Sequence, residues 1–550
     1  MARLDRLAPV KELAQIGAAI GREFSHALLA EIAPLDERRL RQALQQLTAA
    51  ELVFRRGVPP EATYSFKHAL VQEAAYGSLL RSRRQQLHAR IAQVLEERFP
   101  ATAQTQPEVL AHHCAQAGLV DKAIEYAERA GKQAARRAAT PEAIHHFQAA
   151  LGLLRRTPEG RARDAGELRL LTQLGPALML AKGWADPEVE TAYHRAGVLA
   201  RGLENSADLV PPLVGLWLFY LSRGRFEAAD ETTSELFQVA HALDDPDLLL
   251  QAHHAAWPTP MLRGAFTRSH GHIRHGLELY DYDRHKHHAF VYMGHDPAVC
   301  GHALAAGVTW MLGLGEQAER HAADALELAR RLRHAPTLAF ALWFIAGGHA
   351  ARSDHVAALG ATEELFQLSE DQGLVQTRTS ALIIGGWAAA CSGRAKEGVE
   401  QVRAGLADWR RMGFRNYLQP FTCLLAESLT HTGHYAEALE HLGQASAVGD
   451  EIGERWWEAR IHRLRGDLLL HSGARKEAAV RAFGIAIEVA RAQDAKGFEL
   501  QAARSLARLW AEQGERAKAH DLLAPVYGWF TEGFDTQGLK DAKALLDQLA

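Results

Sequence analysis

Two adjacent tryptophans, Trp456 and Trp457, stand one helical turn before two arginines, Arg460 and Arg463, in the segment GERWWEARIHRLRGD. Neighbouring side chains of a helix point about 100° apart, so one indole can pack between helices while the other faces a groove. An aromatic face beside guanidinium groups suits a peptide or an anionic ligand. These four residues form our candidate ligand-binding groove. The alternative is that both tryptophans only pack between helices.

Histidines form the second group of residues with chemical potential. The chain has 29 of them. Seven fall in one short stretch: His270, His272, His275, His285, His287, His288 and His295. Imidazoles bind transition metals, and His272 and His275 would share one helix face. The stretch has no HExxH motif, so we predict a structural or solvated role. Asp296 and Pro297 are predicted to be a helix N-cap and the first helical residue.

Patterns that would indicate catalysis are missing from the sequence. There is no GxSxG motif for a nucleophile. The only Gly-Lys pair, Gly131 and Lys132 in GKQAARR, lacks the other residues of a GxxxxGK[ST] phosphate loop. We therefore predict a non-enzymatic chain with no catalytic residue, no cofactor and no metal ligand.

Composition limits the class of protein. A chain of 550 residues is too long for one core and indicates several domains or a repeat array. A net charge of −4 does not favour nucleic acid or an anionic membrane as a partner. The four cysteines lie far apart, which suits a reducing compartment, and no run of 18 apolar residues is present. These features predict a soluble, cytoplasmic protein.

A regular spacing of small residues predicts the fold of the main body. Markers recur at steps of about 40 residues, with one longer step: Gly224, Gly264, Gly313, Ser353, Gly393, Gly433, Gly473 and Gly514. Five residues after each marker stands a second small residue: Ala229, Ser269, Ala318, Ala358, Gly398, Ala438, Ala478 and Ala519. Glycine closes a helix in the left-handed conformation, and the second small residue lets two helices approach. The pattern predicts stacked helix pairs, an all-α solenoid that resembles tetratricopeptide repeats.

The first hundred residues differ from the rest. Residues 9–20, 24–33 and 36–49 are predicted helices, and two short strands follow around a turn at Gly57–Pro60. Three helices with a two-stranded wing predict a winged helix, a fold that binds DNA or acts as a rigid hinge between domains. Its candidate DNA contacts are Arg38, Arg39, Arg41, Arg55 and Arg56. The alternative is that these arginines are solvated and paired with Asp36, Glu37 and Glu51.

Several long segments resemble one family. LAQIGAAIGREFSHALL, LTAAELVFRRGVPPEATYSFKHALVQEAAYGSLL, PEVLAHHCAQAGLVDKAIEYAERAG and LLAPVYGWFTEGFDTQGLKDAKALLDQL are similar to bacterial class III adenylate/guanylate cyclases. In that family a cyclase domain precedes a STAND-type ATPase of the AAA+ lineage, a winged helix and tetratricopeptide-like repeats. The resemblance covers essentially the whole chain, and more distantly the layout is similar to maltose-regulator-type transcription activators.

The departure from the family is equally informative. No phosphate loop is present, so neither ATP binding nor cyclisation carries over to this chain. The resemblance implies that the chain corresponds to the back half of such a protein, with Met1 as an internal methionine of a longer ancestor. The upstream ATPase and cyclase domains would then be its partners in full-length relatives.

Together these observations predict three regions: a winged helix with trailing helices at 1–100, the first tetratricopeptide-like repeats at 101–160, and the solenoid with a C-terminal capping helix at 161–550. We predict a regulatory, sensor and protein-interaction region that binds a protein or small ligand in the concave groove of the array. The alternative function is a winged-helix transcription regulator that uses the array as its sensor.

Overall fold

The computed structural model describes residues 8–204, 206–473 and 476–550. By backbone contacts the chain divides into two compact units, one ending at Leu170 and the other beginning at Leu171. Both units consist mainly of α-helices. None of the described helices combines the length and the apolar character that crossing a membrane requires.

Nine helices and a small sheet lie entirely within the described residues of the first unit, 8–170. The helices are α1 (Ala8–Ile20), α2 (His26–Ile32), α3 (Glu37–Ala49), α4 (Ala69–Gly77), α5 (Arg81–Arg98), α6 (Pro100–Thr105), α7 (Pro107–Ala117), α8 (Val120–Arg136) and α9 (Thr140–Leu154). The strands are β1 (Glu23–Ser25), β2 (Val53–Arg56) and β3 (Thr63–Phe66). They form an antiparallel sheet in the order β1-β3-β2.

The sheet packs on the first helices through aromatic side chains. Phe24 of β1 stacks on Tyr64 of β3 at 5.8 Å between ring centroids, and Phe66 lies 5.7 Å from Phe24. The strand β1 was not predicted, because two of its three residues fell at the start of the helix predicted over 24–33. That helix begins only at His26, since Ser25 is its extended N-cap and accepts a hydrogen bond from Leu28 N. The winged-helix assignment of this region stays a prediction.

The predicted linker RRTPEGRARDAGE at 155–167 was only half right. Residues 155–160 lie between helices, but α10 (Arg161–Lys182) includes the remaining residues. Arg163 donates to the carbonyl of Thr157, which ties the start of this helix to the preceding turn. A high charge density is compatible with a solvated helix face, so charge alone did not identify a linker.

The second unit continues with paired helices. They are α11 (Pro187–Leu203), α12 (Val210–Ser222), α13 (Phe226–Leu243), α14 (Pro246–Ala256), α15 (Pro258–Leu262), α16 (Phe266–Leu279), α17 (Tyr282–His285), α18 (Pro297–Met311), α19 (Gly315–Leu332), α20 (Ala335–Ala351), α21 (His355–Gln372), α22 (Val375–Cys391), α23 (Ala395–Arg411), α24 (Leu418–Thr430), α25 (Tyr435–Ile452), α26 (Glu458–His471), α27 (Lys476–Ala492), α28 (Lys496–Glu512), α29 (Arg516–Gly528) and α30 (Gln537–Leu549). Short 3-10 turns occupy Ala207–Leu209 and His288–Phe290.

The predicted helix pairs and their spacing are confirmed. Every one of the eight marker residues has a positive φ, from 62° at Ser353 to 94° at Gly393. The small residue in the next helix is buried in seven of the eight pairs, as at Ala229 and Ala438. One assignment was wrong: Ala479, not Ala478, is the buried residue after Gly473, because α27 begins one residue later than in the other pairs.

Two helices of the second unit, α22 and α23, approach each other closely. An added Cβ on Gly398 would lie 2.2 Å from the carbonyl oxygen of Gly386 and 2.7 Å from the amide nitrogen of Ala390. Both contacts are with backbone, which cannot rotate away. The α22–α23 contact therefore requires glycine at 398.

Replacing Gly398 with alanine is expected to destabilise the second unit by about 1–3 kcal/mol or more, because the helices must separate to accept the methyl group. Gly443 in α25 is a matched control, since its added Cβ would meet no atom within 4 Å. There alanine should leave stability unchanged or raise it by about 0.5–1 kcal/mol. Thermal unfolding followed by circular dichroism compares the variants; equal midpoints would contradict the packing argument.

Helix pairs far apart in the sequence also contact each other within the second unit. Arg415 N and Asn416 N donate to the carbonyl of Ser222 at the end of α12, at 2.9 and 3.3 Å. Arg455 N and Trp456 N donate to the carbonyl of Leu262 at the end of α15, at 2.7 and 3.2 Å. Such bonds satisfy carbonyls that a helix end leaves open. Two successive pairs are thus docked on pairs much later in the chain, and we call these bonds the docking contacts.

Candidate ligand-binding site

A cavity with mainly apolar walls lies between helices of the second unit. The space not filled by atoms amounts to about 580 Å³, part of it open to solvent. Its aromatic lining consists of Trp343, Phe344, Tyr417, Phe421, Trp456 and Trp457. We call it the aromatic cavity. It includes both tryptophans that the sequence nominated.

Three helices and two turns position these rings. Trp343 and Phe344 project from α20, with their ring centroids 4.7 Å apart. Tyr417 precedes α24 and lies 5.4 Å from Trp343 and 6.0 Å from Trp456. Trp456 and Trp457 precede α26, with 5.7 Å between their rings. Offset and tilted ring contacts of this kind stabilise a fixed aromatic wall.

Three glycines keep the aromatic cavity open. Gly307 of α18 and Gly347 and Gly348 of α20 all line it, and an added Cβ at any of them would meet no atom within 4 Å. Glycine inside a helix costs about 0.5–1 kcal/mol relative to alanine. No close helix contact requires glycine at these three positions. Their effect is to leave space in the cavity that a larger side chain would fill. A Gly-Gly pair inside an otherwise apolar helix pattern was the sequence signal for this site, and the sequence analysis missed it.

A buried carboxyl group lies directly behind the aromatic wall. Glu454 is inaccessible to solvent, and its Oε1 accepts hydrogen bonds from Tyr417 N at 3.0 Å and from Trp456 Nε1 at 2.9 Å. Its Oε2 has no hydrogen-bond partner among the described residues. Burial raises the pKa of this carboxyl group to about 7. Glu454 therefore fixes the orientation of two residues that line the cavity.

The two arginines of the candidate groove do not line the aromatic cavity. Arg460 is completely buried, and its Nη2 donates to Glu427 Oε2 at 2.7 Å while Nη1 donates to the carbonyl of Ala351 at 2.9 Å. Its guanidinium carbon lies 4.9 Å from the ring centroid of Trp457. Arg463 pairs with Asp467 at 2.7 Å. Arg460 packs against Trp457 outside the cavity. Of the four residues of the candidate groove, the two tryptophans line the cavity and the two arginines do not.

The candidate DNA contacts all lie at the surface of the first unit. Arg38, Arg39 and Arg41 are exposed on α3, and Arg55 and Arg56 are exposed on β2. Two of the five have acidic partners within α3 or at its N-cap, as the alternative interpretation expected: Arg39 with Asp36 at 3.5 Å and Arg41 with Glu37 at 2.6 Å. DNA binding by this surface stays a prediction.

The seven nominated histidines do not converge on one point. His285 is buried; its Nδ1 accepts from Asp281 N at 2.8 Å, which closes the turn that contains α17, and its Nε2 lies 2.9 Å from Asp247 Oδ1 of α14. His295 is buried and stacks on Phe340 at 4.0 Å. The expected N-cap is confirmed, because Asp296 accepts from the amides of Ala298 and Val299. The contacts of His285, His295 and Asp296 are therefore those of structural residues.

Among known proteins, the chain is similar to part of a longer protein. No family model matches the chain. An uncharacterized protein of Rhizobium meliloti (strain 1021) is 27% identical over 510 residues, which are 92% of this chain and 49% of that protein. The chain therefore spans about half the length of this relative.

Two solved structures are similar at low identity. A Rap protein complexed with competence and sporulation factor is 14% identical with a TM-score of 0.48, covering 71% of this chain and 100% of that one. A STAND protein with a tetratricopeptide repeat sensor from Pyrococcus horikoshii is 10% identical with a TM-score of 0.37, covering 89% of this chain and 65% of that one.

Proposed function

We propose that this chain is the non-catalytic ligand-binding region of a regulatory protein, and that the aromatic cavity is its binding site. The observation that carries the proposal is the set of three helix glycines facing empty space at Gly307, Gly347 and Gly348. A packed core would fill that space with side chains, since interiors are close-packed. Keeping it open at a cost in helix stability is explained if a ligand occupies it.

The lining defines the chemistry of the ligand. The space of about 580 Å³ that atoms do not fill includes open solvent, and its walls are those of a concave, mainly apolar site. Aromatic and aliphatic walls favour an apolar group, and the indole N–H of Trp457 has no partner among the described residues and is a hydrogen-bond donor in the wall. The ligand we propose is an apolar or aromatic side chain of a peptide or protein partner, or a small molecule of similar character.

Binding in the aromatic cavity would act on the docking contacts. The ring of Trp456 lines the cavity while its backbone N–H donates to the carbonyl of Leu262. A ligand that moves the Trp456 ring therefore acts on a bond between two distant helix pairs. This coupling gives the array two states that differ in how those pairs dock, and differential affinity for one state is what a sensor requires.

The wider context rests on the family resemblance. We propose that the array senses a ligand and that residues 1–100, as a winged helix, transmit its state to ATPase and cyclase domains in full-length relatives. The match to about half of a protein roughly twice as long supports a larger parent architecture. The DNA-binding alternative has less support, because Asp36 and Glu37 pair with two of the five candidate arginines.

Filling the cavity tests the proposal directly. Gly348→Leu places a side chain in the open space of the aromatic cavity, so ligand affinity should fall about tenfold or more, a loss of at least about 1.4 kcal/mol. The probes are 1-anilinonaphthalene-8-sulfonate, followed by fluorescence titration, and peptides selected on the wild-type chain from a random displayed library. Their affinities for each variant are then measured by calorimetry.

Gly443→Leu is the matched control, since it adds the same side chain at an exposed helix glycine far from the lining residues. It should bind every probe like the wild type, and both variants should keep the wild-type circular dichroism spectrum. Equal probe affinities for Gly348→Leu and Gly443→Leu would overturn the assignment of the cavity as the binding site.

A further inference from the structure

Three side chains with metal-binding chemistry converge on α18 and α19. His302 Nδ1 lies 3.0 Å from His321 Nδ1 and 3.7 Å from Asp324 Oδ2. All three candidate ligand atoms lie within 4.8 Å of one another. His321 and Asp324 are three residues apart on α19, a spacing that puts both on one helix face. His302 reaches them from the facing helix of the same pair.

These distances suit a single transition-metal ion. Ligands bound to tetrahedral Zn²⁺ at about 2.0–2.1 Å lie roughly 3.3 Å from each other, so small side-chain adjustments suffice. Two imidazoles and one carboxylate leave at least one coordination position for water or an external ligand. Burial lowers the pKa of both imidazoles, that of His321 to about 4, so their ring nitrogens are uncharged at neutral pH. Metal binding requires that neutral form.

A similar pair of imidazoles, with a histidine at the third position, occurs one helix pair earlier. Relative to the marker glycines, His253 and His272 occupy the positions of His302 and His321, and their Nδ1 atoms lie 3.2 Å apart. His275 stands at the position of Asp324. Three histidines therefore occupy the corresponding positions, with no carboxylate among them. The chain contains its own matched comparison for the role of Asp324.

Two other groups with compatible spacing fit a cation less well. His88, His112 and His113 form one of them, and His254, His295 and Cys300 form the other. Neither includes a carboxylate, and the second is buried throughout. A dication there would be poorly compensated by charge in a medium that solvates it badly. The carboxylate of Asp324 is exposed, so it neutralises part of the charge and gives the ion a path from solvent.

We propose that His302, His321 and Asp324 bind a divalent transition-metal ion, with Zn²⁺ as the occupant, which clips α18 to α19 and leaves a coordination position facing solvent. The site lies one helix pair away from His272 and His275, the two histidines that the sequence placed on one helix face. It is independent of the aromatic cavity, so either proposal can fail without the other.

The test uses the full chain, freed of metal by chelation, and titrates it with Co²⁺ as a spectroscopic probe. We expect one tight equivalent with visible d–d absorption, displaced by one equivalent of Zn²⁺. Asp324→Asn and His321→Gln should each weaken this equivalent about 10- to 100-fold or abolish it. His287→Gln removes an exposed histidine and should leave the spectrum unchanged. Asp324 is exposed, so its variant should fold normally, which circular dichroism of the metal-free protein checks.

Three outcomes would overturn the proposal. The first is absence of visible absorption with Co²⁺ in the wild-type chain. The second is an unchanged spectrum and affinity in both Asp324→Asn and His321→Gln, which would mean that surface histidines bind the ion. The third is loss of the spectrum in His253→Gln but not in His321→Gln, which would place the ion in the earlier triad.

Discussion

Replacing Arg460 with methionine should lower the free energy of unfolding by about 3–5 kcal/mol, the range found when one partner of a buried ion pair is removed. Arg460 is completely inaccessible to solvent, and Glu427 is only 14% exposed. The substitution leaves the Glu427 carboxylate without its cation. It also removes the donor to the carbonyl of Ala351, which belongs to the wall of the aromatic cavity. Urea denaturation followed by circular dichroism measures the loss.

Two further variants make this expectation specific. Arg463→Met is the matched comparison, since Arg463 is 14% exposed and pairs with a partly exposed Asp467 within one helix, so its loss should cost less than the loss of Arg460. The double variant Arg460→Met with Glu427→Leu should recover most of the lost stability, because no unpaired charge remains buried. If the double variant is as unstable as Arg460→Met, lost packing explains the effect and the buried charge does not.

The second large effect concerns Glu454 and pH. Its pKa rises from 4.5 to about 7 in the folded chain because the carboxyl group is buried. Between these two values the folded state holds a proton that the unfolded state has released, so stability falls as pH rises through about 7. Above pH 7 the folded chain carries a buried carboxylate, at a cost of about 3 kcal/mol relative to pH 4. Glu454→Gln keeps a similar shape without the charge.

We therefore expect Glu454→Gln to be more stable than the wild type at pH 8 by up to about 3 kcal/mol and similar to it at pH 5. Urea denaturation at several pH values between 5 and 8 measures the difference. Glu499→Gln is the contrasting control, because buried Glu499 pairs with Arg491 at 2.6 Å and Lys496 at 2.8 Å and should lose stability when neutralised. Parallel pH profiles for Glu454→Gln and the wild type would contradict the expectation.

Local signals in the sequence predicted most of the helix pairing. The tight turn inside each of these helix pairs uses a residue with positive φ, and the markers from Gly224 to Gly514 all provide it. Close helix approach needs a small side chain, and Ala229 or Ala438 supply it within a few residues of the marker. Both residues belong to one helix pair. Their spacing along the chain can therefore be recognised from the sequence alone.

Contacts between distant segments could not be predicted in this way. Arg460 pairs with Glu427 only because α24 lies beside it in the folded chain. The bond from Trp456 N to the carbonyl of Leu262 likewise joins residues that are far apart in the sequence. In the sequence, the glycines at 307, 347 and 348 are only residues that weaken a helix. Their relation to the cavity is visible once the surrounding helices are in place, because nothing fills the space beside them. The two tryptophans were nominated on the assumption that they lie within a helix with one of them facing a groove, whereas both precede α26 and both line the cavity.

The docking contacts also limit how this protein can change in evolution. An open solenoid gains or loses whole units freely, because each unit touches only its neighbours. Here Ser222 accepts from Arg415 and Asn416, and Leu262 accepts from Arg455 and Trp456. Deleting or duplicating one pair between these partners would displace every later partner by one unit and break both sets of bonds at once. Length variation among related chains is therefore expected at the ends of the array, and between these partners the count of units should be fixed.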